Sequence, residues 1–318
     1  MNFAKQKWIQ NQDLVPIYSI LLVMIFIMAF IQPNFFSVGN FSSLFTQLSP
    51  YIFIAIAQSL IMIIGGMDFS VGAMVSLSTC IFATSLHHGA WNPPLIVVIV
   101  LICGALSALT GLLISWFKLP SIIVTLATSF ALSGIALLFL PTPGGLMPPD
   151  IALWLTGNLG FIPVSAILIA ATVAIWAYIR KSSLGLLLFA VGYNKDAARK
   201  SGLSLHKAYF AAYFMSGVMS AMAGLMLSSI TMSGDPTIGI PMTIISVTAA
   251  VLGGLSFNGG QGKIAGAVAG AIVVGMLVNL LFYLKITGFY TYVVQGAILI
   301  IAVAVNSRRK RVASPRWD

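Results

Sequence analysis

The chain has 318 residues, of which 59% are hydrophobic and 7% charged. Soluble domains carry about 25% charged residues, so this composition excludes a soluble globular enzyme. Sixteen Lys and Arg stand against six acids, all of them Asp, for a formal net charge of +10. In a soluble protein that excess would point to nucleic acid, but here apolar stretches separate the basic clusters.

A membrane helix needs about 20 mostly apolar residues to cross the hydrocarbon layer. In chain order, spans are predicted at 14–31, 51–64, 69–86, 95–117, 121–140, 162–179, 208–230, 242–255, 264–284 and 289–305. Those at 51–64, 69–86 and 242–255 are shorter or interrupted. The fold class is therefore an all-α polytopic membrane protein of about ten transmembrane helices, forming one domain over 1–318. A membrane barrel would need polar–apolar alternation, and runs such as LIVVIVLICGAL have none. The first span follows Lys5 and Lys7, has no A-x-A-like cleavage site after it, and is longer than a signal core, so it is expected to stay as an anchor. Cys80 and Cys103 sit inside apolar runs, where a disulfide framework or metal cluster is not expected.

Charge sets the expected orientation. With the N-terminus in the cytoplasm and alternating spans, 15 of the 16 basic residues fall inside, including Lys118, Lys263 and the tail Arg308–Arg311. Only Lys285 falls outside. Short cytoplasmic loops carry this bias, so both termini are expected in the cytoplasm. The basic excess is topology, and no nucleic-acid partner is expected.

Several motifs fail on inspection. Gly260–Ala265, GQGKIA, matches the dinucleotide fingerprint in form, but no acid follows about 20 residues on. As a phosphate loop it lacks Ser or Thr after the lysine, where Ile264 stands. The chain thus has no nucleotide site of its own, and its energy must come from an ion gradient or a partner. His87 and His88 lack nearby Cys, Asp or Glu and read as an exposed loop pair. Neither paired span aspartates nor HExxH is present, so a membrane protease is a poor class. No cofactor or metal is expected.

The stretch Gly65-Gly66-Met67-Asp68-Phe69-Ser70-Val71-Gly72 places one acid between two apolar segments. The first of them reaches about 21 Å as a helix, short of a full crossing. The glycines permit a break, and Asp68 or Ser70 can cap the helix that follows. A plain cytoplasmic turn is one reading. The other is a discontinuous helix whose freed backbone lines a pathway, the setting in which irregular backbone at depth is tolerated. A second glycine-rich break, from Gly253 and Gly254 through Asn258 to Gly260, lies in the other half of the chain. Paired breaks suit a repeated transporter architecture.

The largest polar segment, 180–207, is expected to be a cytoplasmic loop. Asn194 or Asp196 can cap a short helix through Ala197, Ala198, Arg199 and Lys200, which Gly202 ends. Such an exposed helix suits docking of a cytoplasmic partner. A merely solvated loop is the alternative.

With these pieces the chain resembles the permease subunits of ribose-type ABC importers, the second carbohydrate-uptake class. GGMDFSVGA at Gly65–Ala73 is similar to that family's GGIDLSVG motif, and LPSIIVTLAT at Leu119–Thr128 to its P-x-F-I-V-T-L-G-T stretch. FAVGYNKDAARKSGLS at Phe189–Ser204 resembles A-x-G-G-N-x-x-A-A-x-x-S-G-I, with Tyr193 in place of one Gly. VLGGLSFNGGQGKIAGAVAGA at Val251–Ala271 resembles the last motif, with Leu255 and Ala267 in place of threonines. Asp196-Ala197-Ala198, with Gly202 beyond, looks like the EAA signature that forms a coupling helix on the ATPase.

The resemblance implies an inner-membrane permease that catalyses no reaction itself. It also implies ABC ATPase subunits, a second permease copy or a related permease, a periplasmic substrate-binding protein and surrounding membrane lipid. The implied cargo is a small sugar, such as ribose or another pentose, a polyol or a sugar-like signal. Gate candidates are Gly65, Gly66, Asp68, Ser70, Gly72, Gly253, Gly254 and Asn258; coupling candidates are Asn194, Asp196, Ala197, Ala198, Arg199 and Gly202. An ion-coupled secondary carrier of a small neutral solute is the alternative, and it would need ionisable groups inside the membrane.

Overall fold

The computed structural model describes residues 14–32, 34–86, 92–286, 290 and 293–300. In order these form α1 Val15–Ile31, α2 Val38–Ile63, α3 Val71–Ser85, α4 Pro93–Phe117, α5 Ser121–Phe139 and α6 Pro149–Thr156. A two-strand hairpin, β1 Asn158–Leu159 and β2 Ile162–Pro163, precedes α7 Val164–Lys181 and α8 Ser183–Tyr193. Then come α9 Lys195–Lys200, α10 Leu205–Thr231, α11 Ile240–Leu252 and α12 Ile264–Tyr283. Six helices (α2, α4, α5, α7, α10 and α12) are long and apolar enough to cross a membrane, and α1, α3, α8 and α11 are shorter apolar helices.

Nine of the ten predicted spans fall on these helices. Of the tenth, 289–305, residues 290 and 293–300 are described and are helical. Lys5, Lys7, His87, His88 and the tail from Arg308 lie outside the described residues.

Two predicted boundaries need correction. The span at 51–64 begins instead at Val38, making a helix of 26 residues with Pro50 inside it. Its first half is rich in Ser, Thr, Gln and Asn, which hides it from an apolar count. The structure uses those side chains: Ser42 Oγ donates to Asn158 Oδ1 at 2.5 Å, and Thr46 Oγ1 lies 3.3 Å from Ser165 Oγ. The segment 180–207 is not a loop but a helical connection, since α7 continues to Lys181 and α8 supplies 11 further residues before α9. The helix α6 was not foreseen, being only eight residues long.

Some helix starts use ordinary capping chemistry, in which a side-chain oxygen accepts from an otherwise orphaned amide. Ser37 accepts from Asn40 N at 3.2 Å, Asn92 from Leu95 N at 3.3 Å and Ser204 from Lys207 N at 3.3 Å. Proline opens α1, α4, α6 and α11, where its missing N–H costs nothing.

The longest helix, α10, is the central post and packs on α4, α2 and α3. Close approach there depends on small residues, as membrane helix pairs require. A Cβ added at Gly111 would meet the Tyr213 ring, one at Gly217 would meet Ser107 and the Cys103 carbonyl, and one at Gly224 would overlap Ser78 Oγ. By contrast α5 and α7 turn large apolar side chains outward, among them Phe130, Leu138, Ile175 and Tyr178.

At 27 residues, α10 is about 40 Å long and separates two distinct ends. At its N-terminal end lies α9, and beside it the C-terminal turn of α4, which His206 Nδ1 of α10 ties through Ser115 Oγ at 3.0 Å. At the other end Gly234 pairs with Gly144, and Leu146 N–H donates to the Ala83 carbonyl at 3.0 Å. Lys118, Arg180, Lys181, Lys195, Arg199, Lys200, Lys207 and Lys263 gather at the α9 end, while Asp150 and Asp235 belong to the opposite one.

Candidate functional site

The first glycine pair closes α2. Gly66 N–H donates to the Ile61 carbonyl at 3.0 Å, and Gly65 takes a φ of +73°, which a side chain would strain. From there the chain turns into the bundle. Met67 N–H donates to Ser121 Oγ at 3.2 Å, which fixes this passage against the first turn of α5. Asp68 follows with 1% of its surface exposed. Its Oδ1 accepts from Ser70 N at 2.8 Å and from Ser70 Oγ at 2.5 Å.

This corrects the capping expectation. Ser70 occupies the N-cap position of α3, but its side chain makes no cap bond. The Asp68 carboxylate instead closes the turn that leads into the helix. Tyr213 and Ser216 of α10 face that carboxylate. Ser216 comes close without a hydrogen bond of ordinary geometry, and Tyr213 Oη is likewise buried without a partner. Gln58 of α2 has both amide atoms in the same condition. The break is thus neither wholly superficial nor wholly at mid-depth, for Gly65 and Gly66 lie at the α9 end and Asp68 to Gly72 lie deeper.

The second break also ends a helix. Gly253 N–H donates to the Ala249 carbonyl and Gly254 N–H to that of Val251, each at 3.0 Å. Gly253 packs so closely on α12 that a Cβ would overlap Gly266 and Ala267 backbone. Asn258 is exposed, and its carbonyl lies 3.4 Å from where a Gly65 Cβ would stand. Gly260 N–H donates to the Ile63 carbonyl at 2.8 Å. A Cβ on Gly192 would overlap both Ile63 O and Gly260 N. The end of α2, the second break and the end of α8 therefore meet at one point. Of the gate candidates, Gly65 and Asn258 are brought together there, while Asp68, Ser70 and Gly72 are not part of that junction.

The coupling candidates form the helix expected of them. Asn194 Oδ1 accepts from Ala197 N at 2.9 Å, so Asn194, rather than Asp196, is the cap. Gly202 at φ +78° ends it, with Leu203 N–H reaching back to the Ala198 carbonyl at 3.0 Å. Asp196, Ala197, Arg199, Lys200 and Gly202 face outward, and Arg199 pairs with Asp196 at 3.6 Å. Ala198 does not: it is 4% exposed and packs on the chain's own core. Its methyl seats α9 on the bundle, so it offers nothing to a docked protein. Lys195 Nζ sits 5.5 Å over the Tyr209 ring and holds the same helix from the other side.

Comparison with known proteins gives the chain as a whole a family. Residues 40–303 match the family described as the permease component of the branched-chain amino acid transport system. The chain belongs to this permease family. The ribose import permease protein of Bacillus subtilis strain 168 is 32% identical over 294 residues, 91% of either chain. That of Haemophilus influenzae is 30% identical, covering 90% of this chain and 91% of its own. The D-allose transport system permease protein of Escherichia coli K12 is 30% identical, covering 91% and 90%. No solved structure matches the chain. The protein is a multi-pass membrane permease, the non-catalytic subunit of an ABC importer.

Sequence reasoning missed Tyr213, Ser216 and Gln58, which carry no motif, and Gly192, which lies inside the coupling motif but was not singled out. It also missed a stretch from Asp235 to Ser246. There the signal was present, as an echo of the first break.

Proposed function

We propose that this permease imports a neutral monosaccharide of the ribose, allose or galactose kind. The carrying observation is identity of about three-tenths, over nine-tenths of the chain, to permeases named for ribose, allose and galactose. The family description names branched-chain amino acids, but an amino acid brings an ammonium and a carboxylate that need partners at depth. Among the described residues the one buried charged side chain is Asp68, and it is already bonded to Ser70. Buried Ser, Thr, Gln and Tyr side chains are among the polar groups that remain, and they suit hydroxyl-bearing cargo.

The α9 end faces the cytoplasm in this reading, as its eight described cations favour, and α9 docks a separate ABC ATPase through Ala197, Lys200 and Gly202. A substrate-binding protein delivers sugar to the opposite end, and two permease chains enclose the path. The test uses proteoliposomes holding permease, ATPase and binding protein, supplied with labelled D-ribose, D-allose, D-galactose or L-leucine. ATP-dependent uptake of at least one sugar is expected. Uptake of leucine alone would sink the cargo reading. Impermeant thiol labelling of a cysteine at 145 from outside, and of one at 197 only after lysis, checks the orientation.

A further inference from the structure

The first break has a hidden counterpart. Asp68-Phe69-Ser70-Val71-Gly72 is matched by Asp235-Pro236-Thr237-Ile238-Gly239, and the match continues at Ser76 with Thr243 and at Thr79 with Ser246. The local bonds are the same in both. Asp235 Oδ1 accepts from Thr237 N at 2.7 Å and Thr237 Oγ1 at 2.8 Å, as Asp68 does from Ser70. Thr79 Oγ1 donates to the Ser76 carbonyl and Ser246 Oγ to that of Thr243, each at 2.7 Å.

The two copies also grip each other reciprocally. Gly72 N–H donates to Thr243 Oγ1 at 3.2 Å, and Gly239 N–H donates to Ser76 Oγ at 2.9 Å. Each glycine's amide thus reaches the hydroxyl four residues beyond the other glycine. A Cβ on Gly72 would overlap the Gly239 carbonyl, and a Cβ on Gly239 would overlap the Gly72 carbonyl. Contacts exchanged in this way define a local two-fold axis through the pair.

The copies run in opposite directions. The first comes from the α9 end and continues as α3 toward Ala83, beside Gly234 and Gly145. The second comes from the opposite end at Gly234 and continues as α11 toward the junction with Ile63 and Gly192. At 15 and 13 residues, α3 and α11 are about 22 and 20 Å long. Together they match the length of α10, so each spans half the bundle from a shared start.

We propose that Ser76 and Thr243 are positioning residues that lock Gly72 and Gly239 into a fulcrum, about which α3 and α11 move during import while the fulcrum stays closed. A point on a two-fold axis keeps its contacts when two inverted halves exchange shapes, whereas points away from it do not. The tight backbone-to-backbone seat has no side chain between the two glycines that could re-pack if the pair parted, as a gate would need. Removing either hydroxyl leaves a glycine amide of the other copy without its acceptor.

Hydrogen–deuterium exchange on the permease–ATPase complex in lipid nanodiscs tests this without reference to cargo. Peptides containing Gly72 and Gly239 should exchange within about twofold of one another in nucleotide-free and ATP–vanadate-trapped complexes. Ser76→Ala should speed exchange at Gly239, on the other copy, by about tenfold, and Thr243→Val should do the same at Gly72. Ser76→Thr and Thr243→Ser should restore protection. Exchange about tenfold faster at both glycines on trapping would show a gate that opens and would overturn the proposal. So would unchanged exchange in both hydroxyl-deleted variants. If those variants fail to assemble, the comparison of the two states of the unaltered complex decides by itself.

Discussion

The two aspartate turns have the same bonds and different surroundings. Asp68 is sealed between α5 and α10, while Asp235 sits partly open at the far end beside Gly144 and Gly234. An identical local device therefore carries different weight in the two places. Inside the bundle, a broken hydrogen bond leaves a polar group with no water to turn to, and that costs more than the bond itself contributes. At the far end, solvent replaces what is lost. Sequence symmetry sets the geometry of the turns, and burial sets their energetic worth.

The largest effect should be shared by both halves. Gly72→Val and Gly239→Val each force a side chain into the other copy's carbonyl, with a cost at or above the usual 1–3 kcal/mol of overpacking. Each should abolish recovery of monodisperse complex in detergent. Normal recovery of one but not the other would break the equivalence of the halves.

The next effect should separate them. Asp68→Ala orphans buried groups of Ser70, a loss of about 1–3 kcal/mol, and sugar uptake should fall at least tenfold in correctly inserted protein. Asp235→Ala should retain most uptake. Asp68→Asn keeps an oxygen acceptor and should lie near the unaltered chain if the turn, not the charge, matters. Equal defects in the two alanine variants would show that exposure does not set the difference.

Smaller changes probe the end nearest Asp68. Gly202→Asp places an acid at an exposed position of positive φ, with open space around it, so the fold should survive while the ATPase no longer co-purifies. Ala198→Glu should instead lower the yield of the permease itself, because its site is internal. Arg199→Ala should be mildest, since it removes one exposed ion pair worth at most about 1 kcal/mol. Co-purification and yield, measured side by side, distinguish these three.

Much of this was legible beforehand for plain reasons. Runs such as 95–117 and 264–284 are mostly apolar and carry no charge over the length of a crossing, the pattern of a membrane helix. Asn194 and Gly202 punctuate α9 by chemistry that acts within a few residues. The first half of α2 was not legible, because its Ser42 and Thr46 look solvated until Asn158 and Ser165 are seen across from them. The sequence points to Gly253 to Gly260, where glycines are plentiful, as the counterpart of the first break. The counterpart lies instead at Asp235 to Gly239, where the resemblance is of residue type, Ser for Thr and Val for Ile, and only the folded chain brings the copies together. Ala198 misled for a related reason: a small residue in an exposed helix faces a partner or its own core, and sequence does not say which.

The three-way junction at Gly192 bears on timing. Gly192 presses on the end of α2, which feeds the first copy, and on Gly260, which terminates the second. A push arriving through α8 meets both arms at once, with no slack between them. The two halves should then respond within a single kinetic step, so that a freeze-quenched time course after ATP mixing finds both arms displaced or neither.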